Sequence, residues 1–157
     1  MTLFEVLAKA RACLQGGWTE PFCLTRQGRI CGHNDEGVHL FSVSGAVACY
    51  ATSEQHDQAL DLLEVLVDPG YAAANLATLR YNRTRLAVDA YAARAAWAMI
   101  SSREIFGLAS WLEKEGRKLE EVIRLFDRAI AKVRTGASAA PLSWRNAEGE
   151  QHDERSG

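Results

Sequence analysis

The clearest pattern in the chain is an amphipathic helix in its C-terminal part. Residues 119–134, LEEVIRLFDRAIAKVR, repeat apolar side chains at steps of three and four with charged residues between them. In a helix this period places the apolar residues on one stripe, which must be buried against other elements. Glu120 and Glu121 fall in the first turn and Lys132 and Arg134 in the last, where each charge favours the helix dipole. The pattern predicts a packed helix.

Capping boxes mark the starts of three further helices. A Ser or Thr stands three residues before a Glu or Gln in Thr2 with Glu5, Thr52 with Gln55, and Ser101 with Glu104. The predicted helices are residues 3–15, a helix from Thr52 to the stop at Pro69-Gly70, two alanine-rich helices over 71–80 and 84–100, and one from Ser101 to Gly116. Residues 41–51, with Ser42 as a candidate cap, favour a buried helix over a strand, but the run is too short for its periodicity to decide between them. The fold class predicted from this pattern is mainly α, a single-domain helical bundle.

The helical period is lost between residues 18 and 40, where Pro21 and several glycines interrupt it. Within this stretch, FCLTRQGRICG at 22–32 is typical of a short β-hairpin around Gln27-Gly28. We therefore expect an irregular or β-hairpin insertion at 18–40 in a helical domain that spans 1–136. Residues 137–157 are small, polar and rich in helix breakers, and they predict a disordered tail.

Size and charge narrow the class of protein. The chain has 157 residues, enough for one domain with a core of its own, and its net charge of −2 provides no overall field for nucleic acid or anionic lipid. No apolar run approaches the roughly 20 residues that span a bilayer, and no signal segment opens the chain. We expect a cytoplasmic protein with no membrane partner, whose four cysteines stay reduced.

Four residues of the insertion carry the donor atoms that a metal site needs. Cys23, Cys31, His33 and His39 lie within seventeen positions and could in principle ligate zinc. However, no Cys-x-x-Cys motif presents two thiolates from one tight turn. The plainer interpretation is two apolar cysteines that flank a hairpin, with two surface histidines. We predict no metal and no cofactor, and a small zinc-binding protein or enzyme that uses these four residues remains the alternative.

Motifs for other chemistry are missing from the sequence. Ser42 and Ser44 are not part of a Gly-x-Ser-x-Gly nucleophile elbow, and they are better explained as cap and packing residues. The glycines of GRICGHNDEG are not followed by Gly-Lys-Ser/Thr, and no His-Glu-x-x-His pair is present. We predict no catalytic residues and a protein that is not an enzyme.

The best candidate contact site is a basic group with an aromatic residue. In LRYNRTR, between the two alanine-rich helices, Arg80, Arg83 and Arg85 surround Tyr81. The forked donors of arginine suit carboxylate or phosphate, so the group fits an acidic protein surface or a nucleic acid. The acidity of the whole chain favours a protein partner, with nucleic-acid binding as an alternative. A solvated interhelical turn without a partner is the plainer interpretation.

Three segments together resemble an uncharacterised family of small bacterial and phage helical proteins. They are GGWTE at 16–20, SGAV at 44–47 and WLEKEGRKLEEVIRLFDRAI at 111–130, less than a third of the chain. The chain departs from the family pattern in three places: Leu112 and Glu113 stand where the family has Asn-Asp, Lys118 replaces a capping threonine, and Ser42 replaces a common cysteine.

The resemblance implies a helical fold and a phage or mobile-element setting, in which small proteins often act by binding host machinery. It carries no activity. Together with the candidate contact site, it leads us to expect a non-enzymatic protein-binding accessory protein.

Overall fold

The computed structural model describes residues 1–80 and 107–136 in full, and the backbone of residues 81–86. Within these ranges the fold is mainly α with a small antiparallel sheet, as predicted. The helices are α1 (Leu3–Gln15), α2 (Val43–Ala48), α3 (Ser53–Val67), α4 (Pro69–Leu86), α5 (Gly107–Glu113) and α6 (Leu119–Arg134); the strands are β1 (Leu24–Thr25) and β2 (Val38–Leu40). None of these helices is both long and apolar enough to cross a bilayer.

Helix α6 lies against both α1 and α3 and supplies much of the core. Its stripe is buried as the sequence predicts, with Val122, Phe126 and Ala129 fully inaccessible to solvent. The remaining core residues come mainly from α1, α2 and α3. At the surface α6 runs antiparallel to α1, since the Arg11 guanidinium pairs with Asp127 at 2.7 Å and Arg134 lies over the ring of Phe4.

The predicted caps begin three of the helices. The capping boxes of Thr2 with Glu5 and of Thr52 with Gln55 are both formed. Ser42 Oγ accepts a hydrogen bond from the backbone N–H of Gly45 at 3.0 Å, which starts α2 as expected. Each of these side chains satisfies a backbone donor that the first helical turn leaves without a partner, and the caps therefore fix where the helices begin.

One prediction about the helices is wrong. The sequence predicts separate helices over 71–80 and 84–100, but α4 continues without a break from Pro69 to Leu86. No glycine or proline interrupts the stretch from Leu79 to Arg85, so the backbone hydrogen bonds propagate through it. The rest of the predicted 84–100 helix, the Ser101 capping box and the tail over 137–157 lie outside the described residues.

The predicted hairpin around Gln27-Gly28 is confirmed. The Thr25 N–H donates to the Arg29 carbonyl at 2.8 Å, and Gly28 has φ +78°, a conformation that favours glycine at the end of a tight turn. Leu24 is central in this small assembly because it bridges Ile30 on one side and pairs with Leu40 of β2 on the other. The 18–40 segment is therefore an insertion with β structure in a helical fold.

We predict that Phe126→Ala lowers the free energy of unfolding by about 3–5 kcal/mol, because it removes a fully buried ring from the contact of α6 with the core. Chemical denaturation monitored by circular dichroism measures the change. Arg124→Ala, at an exposed position of the same helix, is the control and should stay within about 0.5 kcal/mol of the unaltered chain. Equal stability of the two variants would contradict the assigned core.

Candidate functional site

Arg80, the first of the predicted contact residues, is part of an ion pair within the fold. Its Nε donates to Asp61 Oδ2 of α3 at 2.8 Å, and its Nη2 contacts the same oxygen. The Asp61 side chain is 3% exposed and that of Arg80 is 45% exposed. A buried carboxylate needs such a partner to offset the loss of its hydration. The first role of Arg80 is therefore structural: it links α4 to α3.

The other three predicted residues hold positions on different sides of α4, as the helical period places them. Facing α3, the helix has the buried Ala72 and the half-buried Leu76 and Leu79, whereas Ala74, Ala77 and Thr78 are exposed. A helix turns 100° per residue. Position 83 follows Leu79, Leu76 and Ala72 by four, seven and eleven residues, so it lies on the same side of α4 as they do. Positions 81 and 85 continue the exposed row in the same way.

The interhelical turn that the sequence predicts for these four residues is wrong, because all four lie within α4. Tyr81 and Arg85 hold positions on the exposed row, which we call the outward strip and define as residues 74, 77, 78, 81 and 85. Arg83 holds a position on the row that faces α3, and Arg80 is anchored by Asp61.

The candidate metal ligands are only partly brought together. Cys23 and Cys31 are neighbours in the hairpin, where the Cys31 N–H donates to the Cys23 carbonyl at 3.0 Å. The carbonyl of His33 accepts the Cys49 thiol at 3.5 Å, and His39 is exposed on β2. Within residues 1–86 and 107–136, no three His, Cys, Asp or Glu side chains form a group that could hold a metal ion. The zinc alternative therefore lacks a site in this part of the chain.

The start of α2 gathers several polar side chains of the insertion. Glu20 Oε1 accepts hydrogen bonds from the backbone N–H of Val43 at 2.8 Å and from the indole N–H of Trp18 at 3.1 Å. Cys23 Sγ lies 3.7 Å from Ser42 Oγ and packs so closely on Gly45 that a Cβ at that position would collide with it. The insertion and α2 are thus joined by both hydrogen bonds and tight packing.

Glu20 is the titratable group that this arrangement perturbs most clearly. Burial raises the pKa of Glu20 from its ordinary value of 4.5 to about 7, although the hydrogen bonds from Val43 and Trp18 favour the carboxylate and lower it. The neighbouring Glu113 raises it further. Perturbed carboxyl groups occur at functional sites and in structural networks alike. Here the fold itself supplies the two donors to Glu20, Trp18 and Val43. A structural role as a second cap of α2 therefore explains the raised pKa of Glu20.

A serine and a histidine are hydrogen-bonded at the surface between α2 and α3. Ser44 Oγ lies 3.0 Å from His56 Nε2, and Ser44 is exposed. The sequence predicts a packing role for Ser44, whereas the structure gives it a polar contact. A nucleophilic site also needs donors aimed at a developing oxyanion, and the pair alone does not define one.

The chain matches no protein-family model, and comparisons with curated proteins and with solved structures also found no match. The family resemblance of the three short segments therefore stays a prediction.

Sequence reasoning missed the buried carboxylates. Asp61 and Glu64 on α3 are 2% and 5% exposed, and Glu64 Oε2 accepts the Leu108 N–H of α5 at 2.8 Å. In the sequence both residues lie in an amphipathic pattern whose acids look like solvated charges. One feature of the sequence indicates burial of Asp61: it stands between Leu60 and Leu62, on the apolar side of an amphipathic helix.

We predict that Glu20→Gln stabilises the protein at alkaline pH and has little effect at acid pH. Because the pKa of Glu20 is higher in the folded state, folding takes up a proton between about pH 4.5 and 7, and stability from this group falls as the pH rises through that window. The glutamine retains an acceptor oxygen without the buried charge. It should exceed the unaltered chain by about 2–3 kcal/mol at pH 8 and match it near pH 4.5.

Urea denaturation at both pH values measures this difference. Glu36→Gln, at an exposed position of the same insertion, is the matched control. A stability difference for Glu20→Gln that does not change with pH would show that Glu20 does not titrate in this window.

We predict that Arg80→Ala lowers the free energy of unfolding by about 1–2 kcal/mol, because it removes two charge-assisted contacts to Asp61. Because Arg80 is partly exposed, this loss of stability is smaller than that expected for a fully buried ion pair. Thermal or chemical denaturation checks it, with Arg29→Ala at the exposed hairpin tip as the control. Unchanged stability of Arg80→Ala would remove the structural role assigned to this arginine.

Proposed function

We propose that the chain is a non-enzymatic protein-binding accessory protein that recognises its partner through the outward strip of α4. The observation that carries the proposal is the exposure of Ala74, Ala77 and Thr78 on the side of α4 opposite its contact with α3. Residues 81 and 85 extend this side by helical spacing, and they are a tyrosine and an arginine.

The composition of the outward strip fits recognition better than catalysis. Tyrosine and arginine are enriched at the centres of protein interfaces, where they provide large contact area and directional donors. The small side chains of residues 74, 77 and 78 would let a partner's backbone or helix approach α4 closely. Thus Tyr81 and Arg85 of the outward strip are suited to bind a partner, and the small side chains beside them need little rearrangement on binding.

Charge indicates the chemistry of the partner. Arg85 would pair with a carboxylate on an acidic protein surface, while the net charge of −2 opposes the approach of a nucleic acid. The proposal places the protein in the cytoplasm, where its four free cysteines would remain reduced. In the phage or mobile-element setting that the resemblance implies, the partner would belong to the host machinery.

We predict that Arg85→Glu weakens partner binding at least about tenfold, because it reverses the charge at the end of the outward strip. Affinity purification from cells that encode the protein, with quantitative mass spectrometry, identifies the partner; calorimetry with the purified partner then gives the dissociation constant. Arg29→Glu makes the same charge change at the exposed hairpin tip and should leave binding unchanged. Thermal unfolding confirms that both variants are folded.

Equal binding by Arg85→Glu and Arg29→Glu would contradict recognition by the outward strip. A duplex DNA or RNA shifted in a gel at about 50 mM salt but not at about 200 mM salt would instead favour the nucleic-acid alternative, because phosphate contacts weaken steeply with salt.

A further inference from the structure

Cys23 and Cys31 stand directly opposite each other in the hairpin. Leu24 bridges Ile30 as an antiparallel pair, so the residues one step outward, 23 and 31, face each other across the two strands. The hydrogen bond from the Cys31 N–H to the Cys23 carbonyl, 3.0 Å long, confirms this register. Side chains of directly opposed residues leave the same face of a β ribbon.

This placement is compatible with the Cα separation that a disulfide requires. Directly opposed residues that share hydrogen bonds in an antiparallel pair have Cα atoms about 5.5 Å apart. Disulfides form across Cα separations of about 4.4–6.8 Å. A bond between the two sulfurs therefore needs side-chain rotation but no change of register.

The two thiols differ in their exposure to solvent, and this difference determines which of them an oxidant reaches first. Cys31 is half-buried and can meet a small oxidant, whereas Cys23 is 4% exposed and packs on Gly45 at the start of α2. All four cysteines of the chain are free thiols in this structure. Cys31 is thus suited to react first and Cys23 to resolve the product.

We propose that Cys23 and Cys31 form a reversible dithiol–disulfide pair that responds to peroxide. Hydrogen peroxide oxidises the Cys31 thiolate to a sulfenic acid and releases hydroxide; Cys23 sulfur then attacks the Cys31 sulfur, and the hydroxyl group leaves with the Cys23 proton as water. Two thiols and one peroxide give one disulfide and two waters. A dithiol reductant reverses the step by thiol–disulfide exchange.

The other two cysteines lie on helices, Cys13 in α1 and Cys49 at the end of α2, and do not face a cysteine across a pair of strands. Burial raises the pKa of Cys13 to about 11, and the Cys49 thiol donates to the His33 carbonyl at 3.5 Å while burial raises its pKa as well. Since the thiolate is the reactive form, both are disfavoured as nucleophiles. Burial also raises the pKa of Cys31, so we expect oxidation at neutral pH to be slow and to need a sustained excess of peroxide.

Formation of the bond would change the contact between the insertion and α2. Cys23 Sγ fills the space above Gly45 and lies 3.7 Å from Ser42 Oγ, the cap of α2. Rotation of this sulfur toward Cys31 withdraws it from that contact. The oxidised hairpin would therefore be locked internally and packed less closely on the helix.

The experiment uses the full chain with Cys13→Ser and Cys49→Ser, which leaves only the proposed pair. After incubation with millimolar hydrogen peroxide, the intact mass should fall by two hydrogen atoms. Trypsin cuts after Arg26 and Arg29, so a disulfide links peptides 12–26 and 30–80, and a dithiol reductant separates them. The control, Cys23→Ser with Cys31→Ser, retains Cys13 and Cys49 and should not lose the two hydrogens.

The unaltered chain provides the same test if a variant fails to fold. Fragmentation of the linked peptides assigns the bond to particular cysteines, and a Cys23–Cys31 link supports the proposal. A link through Cys13 or Cys49 would overturn it. So would oxidation to sulfinic or sulfonic acid at Cys31 without any link to Cys23.

Discussion

The packing of α6 against α1 and α3 is the constraint on which the rest of the fold depends. This contact joins the two ends of the described chain and buries Phe126 in the common core. α2 then packs on α1 and α3, and α4 and α5 both pack on α3. Contacts so distant in sequence are stable only when a large apolar surface is buried at once, because closing the long connection costs conformational entropy. α3 is the helix that all the other described helices contact.

Three carboxylates, those of the buried Asp61 and Glu64 and of the half-buried Glu20, link neighbouring elements of the fold. Asp61 binds Arg80 of α4, Glu64 accepts the first-turn N–H of Leu108 in α5, and Glu20 accepts the Val43 N–H of α2. A carboxylate taken out of water is unfavourable unless donors replace its hydration. These residues therefore fix the positions of elements as well as stabilise them. For Glu20 the donors offset only part of the cost, which is why its pKa stays high.

Most of the fold could be predicted from local patterns. The bounds of α1 and α6, the caps at Ser42 and Thr52, and the hairpin turn at Gly28 each follow from residues within one or two turns of the chain. The break that the sequence predicts near residue 81 is wrong, because nothing in the cluster of arginines prevents a helix.

The candidate sites were less predictable, because they depend on contacts between distant residues. The pair of Arg80 with Asp61 spans 19 positions, and the contact of Glu20 with Val43 spans 23. Within an irregular segment such as 18–40, the sequence does not distinguish an exposed Glu from one that caps a helix. By contrast, the facing of Cys23 and Cys31 follows from the predicted turn once its register is known, since their positions are equally distant from its centre.

Three carboxylates of the described residues are used to join elements of the fold. A catalytic acid or base must present a proton or a lone pair to a substrate, which requires that the fold leave that atom uncommitted. Here Asp61, Glu64 and Glu20 each direct an oxygen to a donor from a neighbouring element. On the outward strip of α4, exposed residues 74, 77 and 78 instead lie in register with a tyrosine and an arginine. A partner could cover the exposed residues 74, 77 and 78 without removing a contact that the fold requires, and this is the physical basis of the binding role that we propose.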